Sequence, residues 1–212
     1  MYIVKIIGIA ALTILFGFLL TAAYHALVLY CLVGPSGCGK TTIAEMLEAE
    51  GYHSVQSYTT REPRYEGEEG HIFVSKDEFD KLDLITKTTF SGASYGVTRN
   101  LIEENDLFVV DPAGLRYLKE HYDGPKKIVA IAFSCPASVC KERILKRGDT
   151  KKEACTRLRH DKKAFKNFLK DCDYEIDATQ SQLEILKQMK HIIETLNWWY
   201  EPDSNKKEIE NV

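Results

Sequence analysis

The residues with the clearest chemistry form a glycine-rich stretch that matches the pattern G-x-x-x-x-G-K-[S/T] at every fixed position. An apolar run at 26–33 precedes it and a helix-like run at 42–50 follows, which is the strand–loop–helix context of a P-loop. Glycines let the backbone turn its N–H groups toward phosphate oxygens, and the helix adds its positive N-terminal end. The predicted ATP-binding loop consists of Gly34, Pro35, Ser36, Gly37, Cys38, Gly39, Lys40, Thr41 and Thr42.

Two side chains of this loop have distinct predicted roles. Lys40 is placed to reach the β- and γ-phosphates, which makes it a predicted catalytic residue. The Thr41 hydroxyl is predicted to hold Mg²⁺, with ATP as co-substrate. The alternative is a glycine-rich turn without a ligand, and the agreement of spacing and flanking elements disfavours it.

Composition narrows the classes of partner. The 212-residue chain carries a formal net charge of -3, so it has no polybasic surface typical of nucleic acid binding. Six cysteines occur without a C-x-x-C pair, which argues against a zinc site or a disulfide framework and favours reduced thiols in the cytoplasm. We therefore expect a cytoplasmic catalytic domain at 26–197, followed by a polar tail at 198–212.

The first 25 residues contain an uncharged apolar segment at 6–23, long enough for a membrane-spanning helix. We predict a transmembrane anchor here. A cleaved signal peptide, an unused upstream start and a buried core helix are the alternatives.

A second phosphate-binding feature follows the P-loop. Arg61 and Arg64 lie three residues apart, with Pro63 stiffening the segment between them. Two guanidinium groups at this spacing can bind a second phosphate group bidentately, although a charged surface loop is the simpler alternative.

Periodicity predicts alternating strands and helices along the rest of the chain. Ser75 and Glu78 form a capping box at a helix start. An apolar strand at 107–111 ends in Asp111, which would contact Mg²⁺ or substrate, or else cap the helix at 112–121. The remaining predicted strands are 52–57, 83–90, 94–97, 127–135 and 173–178. The remaining predicted helices are 98–105, 138–168 with a break at 148–150, and 180–196.

The P-loop and the segment Ser57-x-Thr59-Thr60-Arg61-x-Pro63-Arg64, with a Gly-Glu turn leading to Phe73, together resemble the guanylate kinase family. The resemblance implies an α/β fold: a P-loop parallel sheet with helices on both faces, a small mixed β subdomain for the nucleoside monophosphate near 57–97, and a helical lid near 138–168. It implies ATP-dependent phosphorylation of GMP or dGMP. The implied substrate-binding residues are Ser57, Arg61, Arg64, His71, Thr86, Tyr95 and Asp111, and the implied catalytic lid arginines are Arg143, Arg147 and Arg157.

The sequence departs from this family where the base is read. The family has a glutamate at the position of Thr86 and a serine at the position of Val97, although Thr98 is adjacent. His71 stands in place of a phosphate-binding tyrosine, and Val109 in place of the first of two acidic residues. A carboxylate accepts two hydrogen bonds from guanine, whereas a threonine offers one hydroxyl. Other acceptors therefore remain open, such as another deoxynucleotide or ribose 1,5-bisphosphate, as does a non-catalytic binding module.

Overall fold

The P-loop strand lies inside a parallel sheet. The computed structural model describes residues 27–199 apart from residues 64, 65, 69 and 91. Within that part of the chain, this sheet consists of four strands: β1 (Val28–Val33), β6 (Leu107–Val109), β7 (Lys127–Ser134) and β8 (Tyr174–Asp177). They are parallel and lie in the order β6-β1-β7-β8. All six residues of β1 are buried, as its continuous apolar run predicts.

Alternate residues of β1 enter two separate hydrophobic cores, one on each face of the sheet. Tyr30 packs in the core that includes residues of helices α1 (Lys40–Glu48) and α7 (Gln182–Trp199). Leu29 packs in the core that includes residues of α3 (Arg99–Glu104) and α4 (Pro112–His121). Helices on both faces confirm the predicted α/β fold.

A second, mixed sheet consists of β2 (Ser57–Thr59), β3 (His71–Phe73), β4 (Leu84–Phe90) and β5 (Ala93–Thr98). The strands lie in the order β3-β2-β5-β4. Strands β2 and β3 are parallel, whereas β5 is antiparallel to both β2 and β4. Ile85 and Val97 are buried in the same core as Leu29, so the small sheet is packed onto the main one. Helix α2 (Lys76–Phe79) connects β3 to β4 and begins with the predicted capping box at Ser75 and Glu78.

The predicted lid is a pair of helices, α5 (Ala137–Lys146) and α6 (Lys151–Ala164). Gly148 breaks them apart with a φ of 105°, a left-handed conformation that favours glycine. Thr150 then caps α6 in a capping box with Glu153. A short 3₁₀ helix, Phe168–Asp171, leads into β8.

Several predicted bounds need correction. The strand expected at 52–57 is reduced to an isolated bridge between Ser54 and Leu107, and the pairing strand begins only at Ser57. Strand β6 ends at Val109 because Asp111 becomes the N-cap of α4. Helix α7 extends to Trp199, three residues beyond the predicted end.

The predicted transmembrane helix is also corrected. No helix in residues 27–199, with the gaps given above, is long and apolar enough to cross a membrane. The segment at 6–23, on which that prediction rested, lies outside the described residues.

Candidate active site

The predicted ATP-binding loop, Gly34–Thr42 and here called the donor loop, joins the end of β1 to the start of α1. Its glycines are required by a positive φ, by close contacts that leave no room for a Cβ atom, or by both. Gly37 and Gly39 have φ values of 79° and 101°. A Cβ atom on Gly34 would lie 2.7 Å from the carbonyl oxygen of Phe133, and one on Gly37 would lie 2.7 Å from that of Cys140. The loop can therefore follow this path only with glycine at these positions.

Lys40 folds back over the loop that precedes it. Its Nζ donates to the carbonyl oxygens of Gly34 at 2.6 Å and Pro35 at 3.0 Å, and lies 3.5 Å from the Sγ of Cys38. The ammonium group is thus held at the loop by backbone oxygens, where it can exchange these partners for phosphate oxygens.

A cavity of about 380 Å³ opens beside the loop. Its lining combines the N-terminal end of α1, including Thr41, with two predicted lid arginines, Arg143 and Arg147. Gln180 and Gln182 also line it, and neither was predicted from the sequence. Their position just after β8, at the carboxyl end of a parallel strand, is the signal that would have indicated them.

The three predicted lid arginines differ in what they contact. Arg143 donates from Nη1 to the carbonyl oxygens of Ala178 at 2.8 Å and Cys38 at 3.3 Å, so it contacts the loop backbone directly. Arg147 and Arg157 share the carboxylate of Asp149, at 2.8 Å and 3.2 Å. Asp149 therefore links the two lid helices through their arginines.

A second cavity, of about 220 Å³, lies between the small sheet and the end of β6. It brings together five of the predicted substrate-binding residues: Ser57, His71, Thr86, Tyr95 and Asp111. Thr88 lines it as well, and was missed, although the alternation of strand residues puts it on the same face as Thr86. Lys87 and several apolar residues, among them Val97 and Phe108, complete the wall.

His71 and Ser57 are joined across the start of the small sheet. Ser57 Oγ lies 2.9 Å from His71 Nδ1, and the His71 ring meets the Tyr95 ring edge-on at 5.6 Å between centroids. Thr86 is only 4% exposed. The cavity thus presents hydroxyl and imidazole groups. Thr86 stands at the position where the guanylate kinase family, which the sequence resembles, has a carboxylate.

Arg61 does not line this cavity but is paired with a neighbouring carboxylate. Its two terminal nitrogens donate to Glu68 at 2.8 Å and 3.0 Å, and its guanidinium lies 5.3 Å from the centre of the Phe73 ring. The hydrogen bonds to Glu68 raise the pKa of Arg61 further above its usual range. Glu68 thus takes up both terminal nitrogens of the Arg61 guanidinium in a bidentate pair. Arg64, the other half of the predicted fork, lies outside the described residues.

Comparisons with known proteins identify the family of this chain. A family model described as an AAA domain matches residues 31–166. A guanylate kinase of Anaplasma phagocytophilum is 31% identical over 173 residues, covering 73% of this chain and 75% of that protein. The chain thus has an AAA-type P-loop domain and belongs to the guanylate kinase family.

Other relatives extend the comparison. A dephospho-CoA kinase of Aquifex aeolicus is 29% identical over 192 residues, covering 78% of this chain and 95% of that protein. A guanylate kinase of Helicobacter pylori is 29% identical over 80% of this chain and 91% of that protein. The solved structure of the Anaplasma phagocytophilum guanylate kinase matches with a TM-score of 0.56 at 24% identity, covering 81% of this chain and 86% of that chain, which shows the fold. The protein is therefore a phosphotransferase of the nucleotide kinase type.

Asp111 performs in this kinase the capping role that the sequence left as the alternative. Its Oδ1 accepts the N–H of Gly114 at 2.8 Å at the start of α4. Asp111 also lines the second cavity, the one of about 220 Å³. The predicted contact with Mg²⁺ or substrate therefore remains a prediction beside an observed structural role.

Proposed function

We propose that this guanylate kinase family member transfers the γ-phosphoryl group of ATP to a nucleoside monophosphate, with GMP and dGMP as the leading acceptors. The observation that carries the proposal is the placement of the two cavities. The donor loop follows β1, and the cavity of about 220 Å³, the proposed acceptor cavity, includes Val109, the last residue of β6, and Asp111 just beyond it. These strands are parallel neighbours, with Leu32 beside Val109. Both cavities therefore open at one edge of the sheet, as in-line transfer between two phosphates requires.

The chemistry needs positioning and positive charge more than covalent catalysis, because charge spreads over the transferring phosphoryl oxygens. In this proposal Lys40 and the loop amides bind the donor phosphates. The acceptor phosphate is bound by Arg61, Arg64, His71 and Tyr95, and it replaces the Glu68 carboxylate that is now paired with Arg61. The base is contacted by Ser57 and Thr86. Arg143, Arg147 and Arg157 neutralise the developing charge.

Mg²⁺ fits the donor side of the proposed site. The described residues contain no cluster of three or more His, Cys, Asp or Glu side chains arranged for a metal. Mg²⁺ in phosphoryl-transfer sites takes most of its ligands from water and phosphate, with few from protein. Thr41, which lines the donor cavity, would hold the ion there through its hydroxyl, and the ion would supply positive charge to the donor phosphates.

A second candidate keeps the reaction but changes the acceptor. The buried hydroxyl of Thr86 in the acceptor cavity favours it, because one hydroxyl discriminates guanine less strongly than a carboxylate does. Another deoxynucleoside monophosphate or ribose 1,5-bisphosphate would then be the substrate.

The test is ADP production from ATP and Mg²⁺ across a panel of acceptors. The panel contains the common ribo- and deoxynucleoside monophosphates and ribose 1,5-bisphosphate. The leading proposal expects the highest kcat/KM with GMP or dGMP. A higher kcat/KM with another acceptor selects the second candidate, and folded protein that turns over none of them contradicts both.

A further inference from the structure

A buried carboxylate from the lid contacts the donor loop at a position that no sequence pattern indicated. Asp161, on α6, is 6% exposed. Its Oδ2 accepts the backbone N–H of Ser36 at 2.7 Å, although the two residues are 125 positions apart in the chain. Its other oxygen lies 3.6 Å from Nδ1 of His160. Burying a carboxylate costs free energy unless it is hydrogen-bonded, so the Ser36 N–H offsets the cost of burying Asp161.

The contact fixes the first half of the donor loop. Ser36 follows directly after Gly34 and Pro35, whose carbonyl oxygens hold the Lys40 ammonium group. Because the Ser36 N–H is bound to a buried carboxylate, the movement of the backbone that supplies these carbonyls is restricted. Asp161 therefore acts on the position of Lys40 without touching it.

The same contact fixes the lid helix. Arg157 lies four residues before Asp161 in α6, so both side chains are on one face of the helix. Arg157 is bound to Asp149, which is also bound to Arg147. The contact of Asp161 with the loop therefore also constrains where Arg157 and its partner Asp149 lie relative to the loop.

We propose that Asp161 is a positioning residue that ties lid helix α6 to the donor loop, so that Lys40 and Arg157 take their places together. Arg143 supplies a complementary tie from α5, since it donates to a loop carbonyl where Asp161 accepts from a loop N–H. The proposal rests on the proposed function for the role of Arg157, but the tie itself can be measured without turnover.

The experiment compares three variants of the full chain. Asp161→Asn keeps an oxygen that can accept the Ser36 N–H, whereas Asp161→Leu keeps the branching at Cγ but carries methyl groups, which cannot accept. Lys162→Ala is the matched control, because Lys162 is the next residue of α6 and is exposed. Each variant is assayed for hydrogen exchange of the Ser36 amide without nucleotide, and for kcat and KM for ATP with the best acceptor.

We expect Asp161→Leu to speed exchange of the Ser36 amide and to lower kcat about ten- to hundredfold, the range for losing a hydrogen bond to a charged group. KM for ATP should rise as well, because the contact holds the backbone that positions Lys40, which binds the donor phosphates in the proposed function. Asp161→Asn should recover most of both losses, and Lys162→Ala should match the wild type.

Wild-type exchange or wild-type kcat in Asp161→Leu would overturn the proposal. So would an Asp161→Asn variant that loses as much kcat as Asp161→Leu, because the charge and not the hydrogen bond would then matter. If circular dichroism shows Asp161→Leu unfolded, Asp161→Ser, whose side chain is too short to reach Ser36, replaces it. If the wild type transfers phosphate to no acceptor, the proposed function fails, while the exchange measurement still decides the tie.

Discussion

Lys40 is the residue on which donor binding depends in our proposal. Its ammonium group already lies over the loop, held by two carbonyl oxygens that phosphate oxygens can replace. We expect Lys40→Ala to lower kcat by about 10²–10³-fold, as loss of one preorganised charge-stabilising group does. Thermal unfolding should change little, because the side chain is bound only to its own loop.

ADP production and a thermal melt check this prediction. Lys146→Ala is the control, because this lid lysine has a side chain that is 79% exposed and pairs with Glu142 on the same helix. Turnover of Lys40→Ala close to that of Lys146→Ala would contradict the role given to Lys40.

Thr86 is the residue on which acceptor choice depends. Its hydroxyl is buried in the acceptor cavity, so we expect Thr86→Val to lower kcat/KM for the best acceptor about tenfold, the value of a typical hydrogen bond. KM for ATP should stay the same. Thr89→Val is the matched control, because Thr89 is an exposed threonine of the same strand. Equal effects of the two substitutions on acceptor kinetics would show that Thr86 does not contact the acceptor.

At the scale of elements, Asp111 joins a helix cap to the acceptor cavity, and two substitutions separate these roles. Asp111→Ala should lower the free energy of unfolding by about 1 kcal/mol through loss of the cap, whereas Asp111→Asn should keep it. If Asp111 also contacts Mg²⁺ or substrate, Asp111→Asn should lower kcat without lowering stability. Denaturant unfolding and steady-state kinetics measure the two effects. Full activity of Asp111→Asn would leave only the capping role.

We expect the start of lid helix α6 to lose stability in acid. Hydrogen bonds from the Thr150 backbone N–H and hydroxyl lower the pKa of Glu153 below its usual value. The stabilisation is therefore fully present above the usual glutamate pKa and is lost as pH falls through the lowered one. We expect the stability difference between the wild type and Glu153→Gln to shrink in acid. Thermal unfolding at neutral pH and at a series of pH values below the usual glutamate pKa measures it, with Glu175→Gln, an exposed substitution, as control. A difference independent of pH would contradict the prediction.

Elements with a strong local pattern were predictable from the sequence. Helix α4 begins at Pro112 and ends at His121 as predicted, because a proline at the first turn and a capping aspartate mark its start. The break before α6 follows from Gly148 and the capping box at Thr150. Strand β2 was misplaced because the short run before it makes only one bridge to the main sheet.

Individual side-chain contacts were not predictable in the same way. The pairing of Arg61 with Glu68 and the contact of Asp161 with the Ser36 N–H leave no periodic signal, because the first depends on how the loop between β2 and β3 folds and the second on how α6 packs against the donor loop. The sequence therefore indicated several residues that line the two cavities but missed Gln180, Gln182 and Thr88, while the structure shows which residues already have partners.

At the scale of the whole molecule, the two sheets share one core. Ile85 and Val97 of the small sheet pack with Leu29 and Ile102, which is fully buried on α3. The acceptor cavity is therefore built on the same packing that supports the donor strand. We expect the two parts to unfold together rather than as separate units.

This shared core makes ligand binding visible as stability of the whole domain. A ligand that binds only the folded state at a concentration 100 times its Kd stabilises it by about 2.7 kcal/mol. For a chain of this size, that corresponds to a rise in Tm of roughly 5–11 °C. We expect ADP with Mg²⁺ to produce such a shift in the wild type and a much smaller one in Lys40→Ala at the same concentration. Differential scanning calorimetry measures both, with ADP-free samples of each as controls. An equal shift in the two proteins would mean that the nucleotide binds without Lys40.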